Sequence, residues 1–569
     1  MRKILEEMLN EPEFARLCNA LESGKSPAVM SGAGQIHRAM LAAALGVVTD
    51  RPVIAICADE NEAKRMADDM SLFLEEPAGL LFGREYTFYN AESVSRTGEH
   101  NRIRTLNGLR EGKLKAAACV LDGVMCRTMP PKVMEKSVFT LKSGKEYDLN
   151  DLAERLVTGG YRRCMQVEGA GQFSLRGGIL DFFSPAQNQP VRCEFFGDEL
   201  DSMGYFDVST QRRTENITEA EILPTAETLV NASPELVNSL TKLVARISKR
   251  KSTKNDLIDT INKDIQRIKD GRSFPAADRY IDLIYPFAAG WDYFPPDALV
   301  VLCEPNRLKE RAKNYLWQLG EDVSALQEKS ILEGSLCRFS AEWEEFLTQM
   351  EEYPIVMMDS FTVSNYPLNP RALTSITAKQ LPSYGGNLDA AVSDSQDLLR
   401  AGYAVIAACQ DQRRCDTLAQ LLRERGVECG IDYKLSEIPP KGKLIVTIGA
   451  VSSGMEYPGL RLAIISEGQL IQRQLKKPKK KVDMTNRQRL ESYNDLSPGD
   501  LVVHENYGIG RFVGIFQMPV DKVKKDYIKI AYAGTDSLYI PATQLDMITK
   551  YIGAGEGQTV KLSKMGGTE

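Results

Sequence analysis

Histidine is nearly absent from this chain: three in 569 residues, His37, His100 and His504, too far apart to argue for a metal centre. The eleven cysteines contain no C-x-x-C pair, and several, including Cys57, Cys119 and Cys303, sit inside apolar runs. Such usage fits reduced, buried thiols in a cytosol and speaks against a zinc ribbon or a disulfide framework. No apolar run approaches the ~18 residues that a membrane span needs. The N-terminus, MRKILEEMLNEPEF, is amphipathic and charged, unlike a signal peptide. The expectation is a cytoplasmic protein with no membrane partner. An excess of positive charge is missing too: 71 basic against 77 acidic residues give a net charge of −6, so electrostatic coating of nucleic acid is not the default.

What is present is length. One core rarely grows past roughly 250–300 residues, so 569 residues with 43% hydrophobic content imply several domains, four or five here. The most regular stretch is Tyr161 to Asp201. Phe173 and Leu175 alternate with Ser174 and Arg176, Gly177-Gly178 breaks the run, and Ile179 to Phe183 resumes it, as two strands joined by a tight turn would. In the next strand Val191, Cys193 and Phe195 share one face, leaving Arg192, Glu194 and Phe196 on the other. A large aromatic beside an arginine on a solvated face is either a protein-binding hot spot or an aromatic shown to water or tucked under a loop.

Residues before 120 read as βα units. Ala28 to Met30 and Val53 to Cys57 are short apolar runs, followed by helical patterns over Ile36 to Leu45 and Glu60 to Leu74. Between the first strand and helix, Gly32, Gly34, Gln35 and Ile36 stand where a phosphate loop would lie. G-x-x-x-x-G-K-[ST] needs its lysine for the phosphate oxygens and its hydroxyl for magnesium, and both are missing. A glycine turn that only connects strand to helix is the alternative reading.

Further on, Leu257, Ile261, Ile265 and Ile268 recur at helical spacing, and Lys249-Arg250-Lys251 before them is a solvated flank or a phosphate contact. Ile355 to Asp359, Ala404 to Ala408, Leu444 to Ile448 and Leu462 to Ile465 are strands of a second α/β unit, with a helix from Arg413 to Arg425. Met358-Asp359-Ser360 resembles a strand ending in a magnesium-holding acid, but Ser360 cannot replace the glutamate that a motor carries next. Lys476 to Lys481, broken by Pro478, is a linker or a contact to phosphate or an acidic partner. From Leu496, short strands over Leu501–His504, Arg511–Met518, Asp526–Tyr532 and Ser537–Ile540 describe a small antiparallel barrel, with Gly508 and Gly510 placed for a tight turn. In it, Ile528, Ile530 and Tyr532 point inward, leaving Tyr527 and Lys529 outward on an edge strand.

Two strings carry a resemblance. FSLRGGILDFF with VRCEFFGDELDS resembles the second domain of the excision-repair protein UvrB and the matching module of the transcription-repair coupling factors, and GDLVVHENYGIGRFVGI resembles the RNA-polymerase-interacting domain that those factors share with the CarD regulators. A UvrB-like body followed by a CarD-like domain is the order in the N-terminal region of the coupling factors. The resemblance implies a degenerate P-loop α/β domain in two parts, 1–124 and 216–344, interrupted by a UvrA-binding β-rich module at 125–215. After these come a divergent α/β domain at 345–470, a basic linker at 471–495 and an SH3- or Tudor-like barrel at 496–569. It implies UvrA contact through Arg176, Arg192 and Phe196, and contact with the RNA polymerase β subunit through Met518, which falls where the family inserts an apolar residue, or through the strand at Tyr527 and Lys529. Met518 reads equally as a core methionine closing the end of its hairpin. A superfamily-2 DNA translocase using ATP and Mg²⁺, the part that meets DNA, is expected past Glu569. This chain is then expected to be an adaptor in nucleotide excision repair with no cofactor and no catalysis of its own. The alternative is a CarD-like, polymerase-binding transcription regulator with no repair role.

Overall fold

Strands apolar at nearly every position are buried on both faces, which marks a parallel sheet flanked by helices. In the computed structural model, β1 (Ala28–Ser31), β2 (Val53–Cys57), β3 (Gly79–Leu81) and β4 (Ala116–Val120) form one. The structure describes residues 1–90, 96–208, 210–230, 234–249, 255–271, 274–382, 384, 387–467, 487–489, 496, 499–504, 508–520, 523–532, 537–541 and 548–551, with backbone alone at 487–489, 516–520, 523–526 and 541. The basic run at 476–481 and residues 250–251 lie outside the described residues.

The chain then leaves this sheet for a separate module. β5 (Phe139–Lys142) pairs with β12 (Glu219–Ile222), so the module continues past 215. Between them lie β6 (Arg162–Arg163), β7 (Gln172–Arg176), β8 (Ile179–Phe182), β9 (Val191–Phe196), β10 (Glu199–Phe206) and β11 (Arg213–Ile217), in one sheet of order β11-β10-β9-β8-β7-β6. Its inner face carries Phe173, Leu180, Phe182, Val191, Cys193 and Met203, closed by Leu152 and Leu156 of the helix Leu149–Thr158. Where the module rejoins the body, the wholly buried Glu227 accepts from Arg102 Nε at 2.7 Å and from the Thr128 hydroxyl. Arg84 donates to Asp278 (2.6 Å) and Thr228 (2.7 Å) alongside. Arg104 reaches into the module to the carbonyl of Pro185 at 2.8 Å.

The body sheet is completed after the insertion by β13 (Leu299–Cys303), β14 (Ile355–Asp359) and β15 (Ala372–Ser375), giving the order β15-β1-β14-β13-β2-β4-β3 with every pairing parallel. This corrects one expectation. Ile355–Asp359, read as the first strand of the second α/β unit, lies between β1 and β13 of the first. An apolar run buried on both faces says that it joins a sheet but not which one. The second sheet has the order 379–380, 455–457, 462–466, 404–409, 444–448, 429–431, with the helix Gln412–Glu424 packed on it. Ile4, Leu5 and Met8 of the N-terminal helices share a core with residues of both sheets, among them Met30, Ile406 and Ile464. Ser452 donates through its amide and hydroxyl to Asp69, fastening the two units together.

Candidate functional site: a docking face on the inserted module

Alternation along β9 is as the sequence implies. Val191 and Cys193 are buried and Phe195 mostly so, whereas Arg192, Glu194 and Phe196 face outward, Phe196 at 85% exposure. Phe196 stands at the tip of the β9–β10 hairpin, opposite Glu199, where Gly197 adopts φ 63°. The two-residue turn Gly177-Gly178 sets β7 against β8 with Arg176 opposite Ile179, and Ile179 in turn opposes Glu194. Arg176, Ile179, Glu194 and Phe196 therefore lie on one face.

Asp181 organises that face, and the sequence reading gave it no role. It lies opposite Arg192 in the ladder and is wholly buried. Arg192 donates Nε to Oδ1 at 2.7 Å and Nη2 to Oδ2 at 2.8 Å, a two-pronged carboxylate grip. Its Nη1 donates to the carbonyl of Gln211 at 3.1 Å, and its guanidinium lies 4.7 Å from the centre of the Phe206 ring. The hydrogen bond to Asp181, more than any other influence, pushes the Arg192 pKa above its ordinary value. Arg176 donates Nη2 to the same Oδ2 at 2.8 Å while its side chain stays 49% exposed, against 18% for Arg192. The expected trio is thus brought together, with unequal parts: Phe196 and Arg176 present surface, Arg192 is mostly committed inward. Exposed Met165 and Ile179 add apolar area that the sequence reading also passed over.

The loop expected to be a disabled phosphate cradle is filled by the protein's own side chains. Arg38, 4% exposed, donates Nη1 to Glu304 (2.6 Å), Ser360 (3.1 Å) and the Ala33 carbonyl (3.2 Å), and Nη2 to Glu62 (2.9 Å). The Ala33 amide, which a working cradle would offer to phosphate, donates to the Asp359 carbonyl at 3.0 Å. Ile36 is buried, and Gln35 accepts from Arg65. Gly32, at φ 86°, passes so close to β15 that a Cβ would lie 2.1 Å from the Ile376 carbonyl oxygen. Gly34 caps the helix Gln35–Thr49.

Asp359 is buried in this cluster, and burial, reinforced by the neighbouring Glu304 charge, pushes its pKa from 3.8 to about 7. The folded state thus prefers the protonated acid. The stability it contributes is fully present below 3.8 and is lost as the pH rises through about 7. Asp359→Asn, neutral at every pH, is expected to flatten the fall in denaturant midpoint between roughly pH 5 and pH 8. Equal slopes in both proteins would sink this.

In the C-terminal sheet, ordered 487–489, 548–551, 501–504, 508–520, 523–531, 537–541, all pairings are antiparallel. Ile528, Ile530 and Tyr532 are buried with Val502, Phe512 and Ile540, as the alternation implies, and Tyr527 and Lys529 are half-buried on the opposite face. Lys529 Nζ lies 5.4 Å from the centre of the Tyr539 ring. Two expectations change. Val523–Ala531 is an inner strand with neighbours on both sides, so it offers no edge to a partner, and among the described residues the last strand on that side is Ser537–Pro541. Gly510 lies within a strand and answers to packing, since a Cβ would sit 2.3 Å from Ile530 Cγ2, whereas Gly508, at φ 75°, opens that strand opposite His504. The Met518 backbone pairs with Lys525, and its side chain lies outside the described residues.

Comparison with known proteins bears on both regions. A family model described as the UvrB interaction domain matches residues 139–227, and one described as the CarD-like/TRCF RID domain matches 496–552. Over 566 residues, 98% of this chain, the sequence is 28% identical to the transcription-repair-coupling factor of Bacillus subtilis, covering 48% of that protein. The namesake in Staphylococcus haemolyticus is 27% identical over 584 residues, 100% of this chain and 49% of its own length. The chain spans about half the length of the curated relatives it matches.

Proposed function

Because the chain is similar over nearly all of its length to transcription-repair-coupling factors, we propose that it works as the two-sided docking part of such a factor. The module at 139–227 recruits UvrA through Phe196, Arg176 and Arg192, and the sheet from 496 holds the β subunit of stalled RNA polymerase, so that a lesion found by transcription is handed to excision repair. The observation that carries this is the outward face of the module, an exposed aromatic beside two arginines aligned by one buried acid. On the polymerase side, Met518 and the face bearing Tyr527 and Lys529 are the contacts proposed. A CarD-like regulator accounts for 496–552 alone and leaves the module without a purpose.

Nucleotide chemistry is not assigned to this chain. Arg38 lies in the cradle and the Ala33 amide is already engaged, which supports reading the loop at 32–37 as a structural turn rather than a triphosphate site. ATP hydrolysis and movement on DNA fall, in this reading, to the rest of the relatives' length. The test is reconstitution of the full chain with RNA polymerase core enzyme and UvrA. One complex containing all three is expected on gel filtration, together with no saturable heat from MgATP at micromolar affinity. Two mutually exclusive binary complexes would overturn the adaptor reading, and saturable MgATP heat would overturn the account of the loop.

A further inference from the structure

The two arginines of the docking face carry positive charges whose positions nothing in their own strands fixes. Arginine side chains have several rotatable bonds, and ordering them on contact costs affinity unless they are held beforehand. Asp181 holds both at once. One carboxylate, at 0% exposure, receives three charge-assisted hydrogen bonds of 2.7 to 2.8 Å, two from Arg192 and one from Arg176. Arg192 also donates Nη1 to the Gln211 carbonyl at 3.1 Å and Nη2 to the Gln211 side-chain oxygen at 3.5 Å, so all three of its guanidinium nitrogens are engaged. Arg176 is tied by Nη2 and remains half exposed.

We infer that Asp181 is a positioning residue of the docking face, acting with Arg192 as a fixed base that aims the exposed Arg176 guanidinium beside Phe196. This rests on the reading that the face docks UvrA. Arg176 is then the arginine that touches the partner, and Arg192 acts chiefly through the alignment.

Charge makes the inference testable in sign. Replacing Asp181 by asparagine removes a negative charge next to two arginines. If net charge alone governed attraction to an acidic partner surface, binding would tighten. If alignment governs, it weakens, because the amide offers one acceptor oxygen where the carboxylate offers two and turns an NH2 donor toward a guanidinium N–H, so the three bonds cannot all be kept.

The experiment is titration of UvrA with the full chain by calorimetry, for the unsubstituted protein, Asp181→Asn, and Asp181→Asn on an Arg176→Ala/Arg192→Ala background, each with its thermal melt. Roughly tenfold weaker binding is expected for Asp181→Asn, with the effect vanishing on the arginine-free background, as coupling through the arginines requires. Unchanged or tighter binding by folded Asp181→Asn, or the same tenfold loss without the arginines, would overturn the inference. So would a melting transition lost in Asp181→Asn, which would assign the residue to the fold. If the unsubstituted chain does not bind UvrA, the docking reading itself falls and takes this inference with it.

Discussion

The triple substitution Arg176→Ala, Arg192→Ala, Phe196→Ala is expected to abolish measurable UvrA binding while leaving the melting transition of the chain in place. Each truncation at an interface hot spot typically costs about 1–3 kcal/mol, so three together carry a micromolar complex out of range. Phe196, at 85% exposure, contributes nothing to the module's core, so its removal is free of folding cost. Arg192→Ala differs because it leaves the buried Asp181 with Arg176 as its one remaining cation, and some of its effect should register as lower stability. Calorimetry against UvrA checks the first part and differential scanning the second. Wild-type affinity in the folded triple mutant would remove this face from the interface.

Gly32→Ala is expected to give the largest loss of stability among single-methyl additions in the body sheet, about 3 kcal/mol or more, from a strained positive-φ residue and a clash with backbone. The new Cβ would meet the Ile376 carbonyl oxygen at 2.1 Å, and that segment cannot retreat cheaply because the Ile376 amide donates to the Ser31 carbonyl at 2.9 Å. In a working phosphate loop, glycine admits ligand; here it admits the protein's own chain. Urea unfolding measures the difference. A shift within about 0.5 kcal/mol, as at ordinary surface positions, would show that the loop can move aside.

How far the sequence reached depended on the kind of information each feature needs. Period-two alternation is local, and it placed Arg192, Glu194 and Phe196 outside and Ile528, Ile530 and Tyr532 inside. The missing lysine at the phosphate loop was equally local. What replaced it was not: Arg38 meets Glu304 and Ser360 only because three parallel strands end at the same edge, a juxtaposition of residues more than 260 positions apart. Asp181 escaped notice for a related reason. Its facing of Arg192 depends on the register across the β8–β9 connection, which no turn motif fixes, whereas Gly177-Gly178 did fix Arg176 opposite Ile179. Strand membership was least legible, as Ile355–Asp359 and the inner position of Val523–Ala531 show, because buried strands of different sheets look alike in composition.

The root of the inserted module has a mechanical consequence. The outgoing chain passes Thr128 and the returning chain passes Glu227 and Thr228, and all three are bonded into one buried cluster with Arg84, Arg102 and Asp278. Bending the two-stranded tether at that point would strand charges that water does not reach. A tug on whatever binds at Phe196 would therefore reach the body through this cluster, where both crossings of the chain are held together.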